Sequence, residues 1–223
     1  MREGYPDVIY EDNHLLIVNK RSSDIVQGDK TGDEPLVEML KRYIKEKYNK
    51  PGEVFLGTIH RLDRPTSGVV LYARTSKALT RMNEQFREKQ VQKTYWAVVD
   101  SAPANDSGTL ENYLLKNQKQ NKSYVTKGSD GKHAILDFKM LKKLDNFFHL
   151  EIKPKTGRHH QIRVQLAHIG CIIKGDLKYG AKRSNKDASI HLLAQKLEFI
   201  HPVKKESITI VAPAPKDSIW DAC

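Results

Sequence analysis

A chain of 223 residues can hold one large domain or two small ones around a sizeable core. Its 38 Lys+Arg exceed its 27 Asp+Glu, a net charge of +11 that favours a polyanionic partner, although charge alone does not name one. Cys171 and Cys223 are too few for a disulfide framework or a cysteine-based zinc site, and the histidines show no metal-binding spacing, so no metal is expected.

The N-terminal residues lack the apolar run of a signal peptide, and no segment reaches the length of a membrane helix. The expectation is a soluble, cytoplasmic protein. Val8–Tyr10 and Leu15–Asn19 read as short strands joined by a turn at Asp12-Asn13. Residues 21–34 are polar and irregular. Pro35 suits the first turn of a helix whose apolar stripe is Leu36, Met39, Leu40, Tyr43 and Ile44. Val69–Ala73 is a compact apolar run, expected as a buried strand. Thr75 or Ser76 caps the next helix, with Leu79, Met82, Asn83 and Phe86 at helical spacing. Thr94–Val99 returns to strand composition, and residues 101–108 form a loop. Residues 109–153 alternate in the β manner, with a hairpin turn at Asp145-Asn146. Residues 160–169 fit a helix with Ile162, Leu166 and Ile169 on one side, ended by Gly170. Strands follow at Leu192–Phe199 and Ile208–Val211. Strand-rich chain with a few helices between gives the α+β class. No repeat or linker marks a boundary, so a single domain over 1–223 is expected.

The stretch from His60 to Gly68, His-Arg-Leu-Asp-Arg-Pro-Thr-Ser-Gly, holds Asp63 between two arginines in a segment dense with turn formers. A carboxylate fixed on such a loop can serve as nucleophile or base. Taken alone, the stretch reads equally well as a surface loop with an Asp–Arg pair. Tyr95 sits in an apolar strand and by itself reads as core. Arg163 on a helix reads as a solvated or salt-bridged arginine. His159 and His160 are adjacent, so on a helix they point in different directions and make no metal half-site. Gly157-Arg158 reads as a turn feeding a helix N-terminus, a place that can receive a phosphate.

Taken together, these segments resemble the RluA-type pseudouridine synthase family. The carrying motifs are His60 to Gly68, Lys93-Thr94-Tyr95, and Gly157-Arg158-His159-His160-Gln161-Ile162-Arg163. Weaker matches are Tyr10-Glu11-Asp12 to Asn19-Lys20 and His191-Leu192-Leu193-Ala194 to His201-Pro202. The resemblance implies an α+β fold with a mixed, mainly antiparallel bent sheet, flanking helices and a central cleft. It implies isomerisation of uridine to pseudouridine within ribosomal or transfer RNA, on a flipped-out or loop uridine. No redox change or group transfer is involved, so no cofactor is implied. Asp63 would be the nucleophile, Tyr95 would stack on the uracil, and Arg163 would pair with Asp63. His60, Arg61, Arg64, Arg158, His160 and Gln161 would contact RNA. No protein partner is implied, and a monomer is expected.

The chain departs from the family pattern at Arg21-Ser22-Ser23, where Pro, a small residue and Gly are usual. It also departs at His159, in place of Thr or Lys, and at Cys171-Ile172, in place of His-Pro. The RNA-binding S4 domain that many relatives carry at the N-terminus is not expected here, which would leave RNA contact to the catalytic domain. Two competing functions stand beside the enzyme. One is a non-catalytic RNA-binding or RNA-chaperone protein on the same fold. The other is a nucleosidase acting on free nucleosides, which would not explain the excess charge.

Overall fold

The computed structural model describes residues 6–28, 32–128 and 130–223. Part of the irregular stretch 21–34, residues 29–31, lies outside the described residues, as do residues 1–5. The elements in chain order begin with β1 (Asp7–Glu11), β2 (Leu15–Lys20), α1 (Leu36–Lys47), β3 (Gly57–Thr58), β4 (Ser67–Ala73) and α2 (Ser76–Arg87). Then come β5 (Gln92–Val99), β6 (Ser107–Asn117), β7 (Lys122–Thr126), β8 (Lys132–Lys143) and β9 (Phe148–Pro154). Last are α3 (Gln161–His168), a 3-10 turn at Leu177–Tyr179, β10 (Leu192–Ile200) and β11 (Ser207–Val211). The α+β class expected from the sequence holds.

The chain forms two compact units, residues 1–92 with 194–213, and residues 93–193 with 214–223. It passes from one to the other at 92/93, 193/194 and 213/214, inside or beside strands. A division of that kind leaves no linker for composition to reveal.

In the first unit β1, β2 and β4 pair antiparallel, β3 adds to β4, and β11 pairs with β10. All seven residues of β4 are buried, as its continuous apolar run requires of a strand covered on both faces. One face, with Val70 and Tyr72, joins Leu16 and Val18 of β2 against the α1 stripe of Leu36, Leu40 and Ile44. Each fully buried large aliphatic side chain contributes about 1.5–3 kcal/mol there. Gly68, second in β4, has φ +115°, and a Cβ there would lie 2.3 Å from the Ala194 carbonyl oxygen, so glycine is required. Thr75 caps α2, its Oγ1 accepting from the Ala78 amide at 3.2 Å. The buried face of α2 carries Ala78, Met82 and Gln85, while Asn83 is exposed. Gln85 is buried because its side chain donates to the Ile200 carbonyl and accepts from the Ile200 amide, pinning α2 to the end of β10.

In the second unit the order is β5-β9-β8-β6-β7, antiparallel throughout. Its core gathers Ala97, Val99, Leu136, Leu150 and Ile152 from the strands against Ile162 and Leu166 of α3. Helix α3 is buried from Gln161 to Leu166 on all sides, wider than the single apolar side expected, while Ile169 is 39% exposed. Three polar side chains turn inward here because each finds partners. Gln165, for one, donates to the Leu110 and Ala134 carbonyls and to Asn112 Oδ1. Gly170, at φ +81°, ends the helix as expected. Beyond the core, His149 is buried edge-on to the rings of Trp96 and Trp220, with interplanar angles of 84° and 88°. Neither of its ring nitrogens has a hydrogen-bond partner.

Candidate active site

In the first unit Asp63 lies, half-buried, on the loop between β3 and β4. The loop turns tightly after it: the Thr66 amide donates to the Asp63 carbonyl at 3.0 Å, across Arg64 and Pro65. Pro65 has no amide of its own to satisfy. The turn is held from below by Lys20, the last residue of β2, whose side chain is completely buried. Its ammonium donates to the carbonyls of Arg21 (2.9 Å), Arg64 (3.0 Å) and Thr66 (2.8 Å). Three donors thus meet three main-chain acceptors, the full capacity of an ammonium. The Ser23 amide also donates to the Arg64 carbonyl at 3.1 Å. Burial pulls the Lys20 pKa down to about 8, against the opposing charges of Asp24 and Asp63.

The other residues expected on this loop have distinct surroundings. His60 Nε2 accepts from the Leu71 amide at 3.1 Å, which requires that nitrogen to be unprotonated. Its ring stacks on Phe86 with centroids 5.2 Å apart. Those contacts anchor the loop to β4 and α2. Arg61 and Arg64 are exposed, and Arg64 reaches Asp33 at 2.7 Å.

In the second unit Tyr95 stands on β5 opposite Ile152 of β9 and packs against the core. Lys93 lies two residues before it on the same face of the strand. Burial lowers the Lys93 pKa. Arg163, on α3 and only 5% exposed, forks onto Asp176: Nε to Oδ2 and Nη2 to Oδ1, both 2.7 Å. Asp176 is itself buried, so this is a bidentate ion pair withdrawn from water. The guanidinium carbon sits 5.1 Å from the ring centroid of Tyr179. The Tyr179 hydroxyl accepts from the Ser123 amide and shares a 2.9 Å hydrogen bond with His160 Nδ1. Gly175, at φ +87°, sets the turn that presents Asp176. A Cβ there would come within 2.7 Å of the Ser189 carbonyl.

Of the residues expected to touch RNA in this unit, His160 and Gln161 are buried and work within the turn. The Gln161 side-chain oxygen accepts from the Arg158 amide and from Thr156 Oγ1, and its nitrogen donates to the Ile135 carbonyl. Arg158 is exposed, and its Nε donates to the His133 carbonyl. Sequence reading missed Asp176 and Tyr179. Their one signal was the Gly175-Asp176-Leu177-Lys178-Tyr179-Gly180 run, where polar and aromatic residues fall among turn formers. Lys20 was noted only as part of a weak motif, since nothing in a sequence shows that a lysine ending a strand will be buried.

Both thiols are pushed up to about 11, chiefly by burial, and offer no reactive thiolate near neutral pH. Among the described residues no group of three or more His, Cys, Asp or Glu could hold a metal ion. Among them, too, no helix is long and apolar enough to cross a membrane.

The sequence pattern of the family described as RNA pseudouridylate synthase matches residues 14–168. The chain belongs to that family. It is 37% identical over 214 residues to the ribosomal large subunit pseudouridine synthase C of Buchnera aphidicola subsp. Baizongia pistaciae, covering 92% of this chain and 66% of that one. It is 34% identical over 225 residues to the ribosomal large subunit pseudouridine synthase D of Xylella fastidiosa, covering 95% and 66%. The chain therefore spans about two thirds of the length of these relatives. The solved structure of human RNA pseudouridylate synthase domain containing 4 shares the fold, with a TM-score of 0.81 at 23% identity over 96% of this chain and 90% of that one.

Proposed function

We propose that this protein isomerises uridine to pseudouridine within RNA, with Asp63 as its nucleophile. The observation that carries the reading is the anchored Asp63 loop in a chain that belongs to the pseudouridylate synthase family. In the reaction the N1–C1′ bond breaks and a C5–C1′ bond forms. The C5 hydrogen leaves as a proton, and N1 ends protonated. Atoms and oxidation state are conserved, so the chemistry calls for no cofactor. The Asp63 carboxylate starts the reaction by attack on the sugar or the base, or by assisting elimination through a glycal. Tyr95 offers a π face to the detached uracil and a hydroxyl for proton transfer. Arg163 supplies fixed positive charge, and Asp176 orients it.

The names of the two bacterial relatives favour large-subunit ribosomal RNA as substrate, with a uridine in a loop or flipped out of a helix. Arg61, Arg64 and Arg158 are the exposed cations best suited to its phosphates, with His60, His160 and Gln161 shaping the loops that carry them. The same reading gives a cytoplasmic monomer whose two units together form one catalytic domain.

The test is a pseudouridine map of ribosomal RNA from a strain lacking the gene, after incubation with wild-type protein or Asp63→Asn. New sites with wild type and none with Asp63→Asn support the reading. Identical maps overturn it.

A further inference from the structure

Within the second unit a cleft of about 350 Å³ opens at the β6–β7 hairpin, lined by Leu114, Lys116, Asp130, Lys132, Arg158 and His159 among others. None of Asp63, Tyr95 and Arg163 lines it. Its size falls in the range of small-ligand pockets and suits one nucleotide. Its chemistry is one-sided. Among the described residues no carboxylate pairs with Lys116, Lys132 or Arg158. Lys155, for comparison, is held by Asp137 at 2.8 Å, and Lys153 by Glu151 at 2.9 Å. Asp130 is the one acid of the lining. The segment 116–132 carries five lysines against that single aspartate.

The wall is also built to stay in place. The Arg158 guanidinium is steered by its bond to the His133 carbonyl, 2.8 Å long. The His159 ring is fixed at both nitrogens, by Ser123 Oγ (2.8 Å) and Asn121 Oδ1 (3.1 Å), and is stacked on His160 at 3.8 Å. Gly157 leaves the backbone open at the cleft: a Cβ there would meet only Lys93 Nζ, 3.9 Å away.

We infer that this cleft is a second RNA subsite, which seats a nucleotide of the substrate other than the uridine being isomerised. Lys116, Lys132 and Arg158 take its phosphates, and the fixed His159 imidazole lies beside its base. The inference rests on the reading that RNA is the substrate. A single-stranded nucleotide fits better than an acidic protein segment because the cations surround a small cleft with a rigid aromatic ring in its wall.

The experiment measures binding of a short fluorescent RNA stem–loop by anisotropy, across a range of salt, for the full chain and two charge-matched variants. One carries Lys116→Ala and Lys132→Ala. The control carries Lys139→Ala and Lys143→Ala, exposed lysines of β8 that do not line the cleft. All four lysines are exposed, so both variants should fold, and thermal melts verify it. The cleft variant should bind about tenfold more weakly at physiological salt, with a salt slope shallower by about 1.4, two single-strand phosphate contacts at roughly 0.7 each. The control should change affinity less than about threefold, a diffuse-field effect. Isomerisation by the control should be unchanged. Equal losses in the two variants, or none in either, would overturn the subsite and leave a diffuse field or a different partner for the cleft. Isomerisation by wild type separates the two readings. If it is absent while the variants still differ in binding, the proposed reaction fails and the subsite stands. If it is present while the variants bind alike, the reaction stands and the subsite fails.

Discussion

Around Asp63 the first unit gathers three main-chain carbonyls on one buried ammonium, whereas around Arg163 the second unit forks a guanidinium onto one carboxylate and covers it with a tyrosine ring. The first arrangement fixes the path of a loop. The second fixes the direction of a side chain. They also differ in what they do for stability. Lys20 is a buried charge held by main-chain carbonyls, and burial depresses its pKa, so the fold disfavours its protonated form. The sign follows from linkage: its contribution to stability is fully present above the ordinary lysine value and is lost as pH falls towards about 8. At neutral pH the loop anchor is therefore a cost, retained for the geometry it imposes. The Arg163–Asp176 pair has each charge compensated by its partner, and harm comes when one is removed.

The largest effect should come from breaking that pair. Asp176→Ala leaves a buried guanidinium without its carboxylate and should lower unfolding free energy by about 3–5 kcal/mol, measured by urea denaturation. Lys20→Met should behave differently. Removing a buried charge offsets part of the loss of three hydrogen bonds, so stability should change by less than about 2 kcal/mol. Activity should nonetheless fall at least about tenfold as the Asp63 loop loses its anchor. If Lys20→Met unfolds the protein while Asp176→Ala is mild, the contrast between the two anchors is wrong.

Acid should act through the second unit. Burial beside Trp96 and Trp220 pushes His149 down to about 4, and burial also lowers His191 against the pull of Asp217. An imidazole kept neutral by the fold gives stability that is complete above the ordinary histidine value and lost as pH falls towards its folded value. Between roughly pH 6.5 and 4.5 the protein should lose on the order of 2 kcal/mol. His149→Phe should flatten much of that slope. Asp12 adds nothing in this window. Although burial opposes it, the His14 and Leu15 amides hold its pKa at about 2, so its loss begins only at lower pH. The smallest effect is local: Thr75→Ala removes the α2 cap and should cost about 1 kcal/mol by the same measurement.

What could be read from the sequence follows from what each element depends on. The α1 stripe and the β4 run were legible because apolar periodicity alone places them. The Asp63 turn was legible because Pro, Thr and Gly constrain backbone locally. Gln85 was not, since it is buried by a partnership with Ile200, 115 residues away in sequence. Asp176 was missed for the same reason: its role depends on meeting Arg163 across the α3 turn. The division into two units was hidden because two of its three crossings fall inside strands.

The central claim is that the Asp63 carboxylate begins uridine isomerisation, and the most direct measurement follows hydrogen at the base. Carbon 5 must lose its hydrogen to solvent for every uridine converted, so RNA tritiated at that carbon reports each turnover. Wild-type protein should release tritium in step with pseudouridine formed, and Asp63→Asn should release none while binding the same RNA within about threefold of wild type. Release at the wild-type rate by Asp63→Asn would contradict the account.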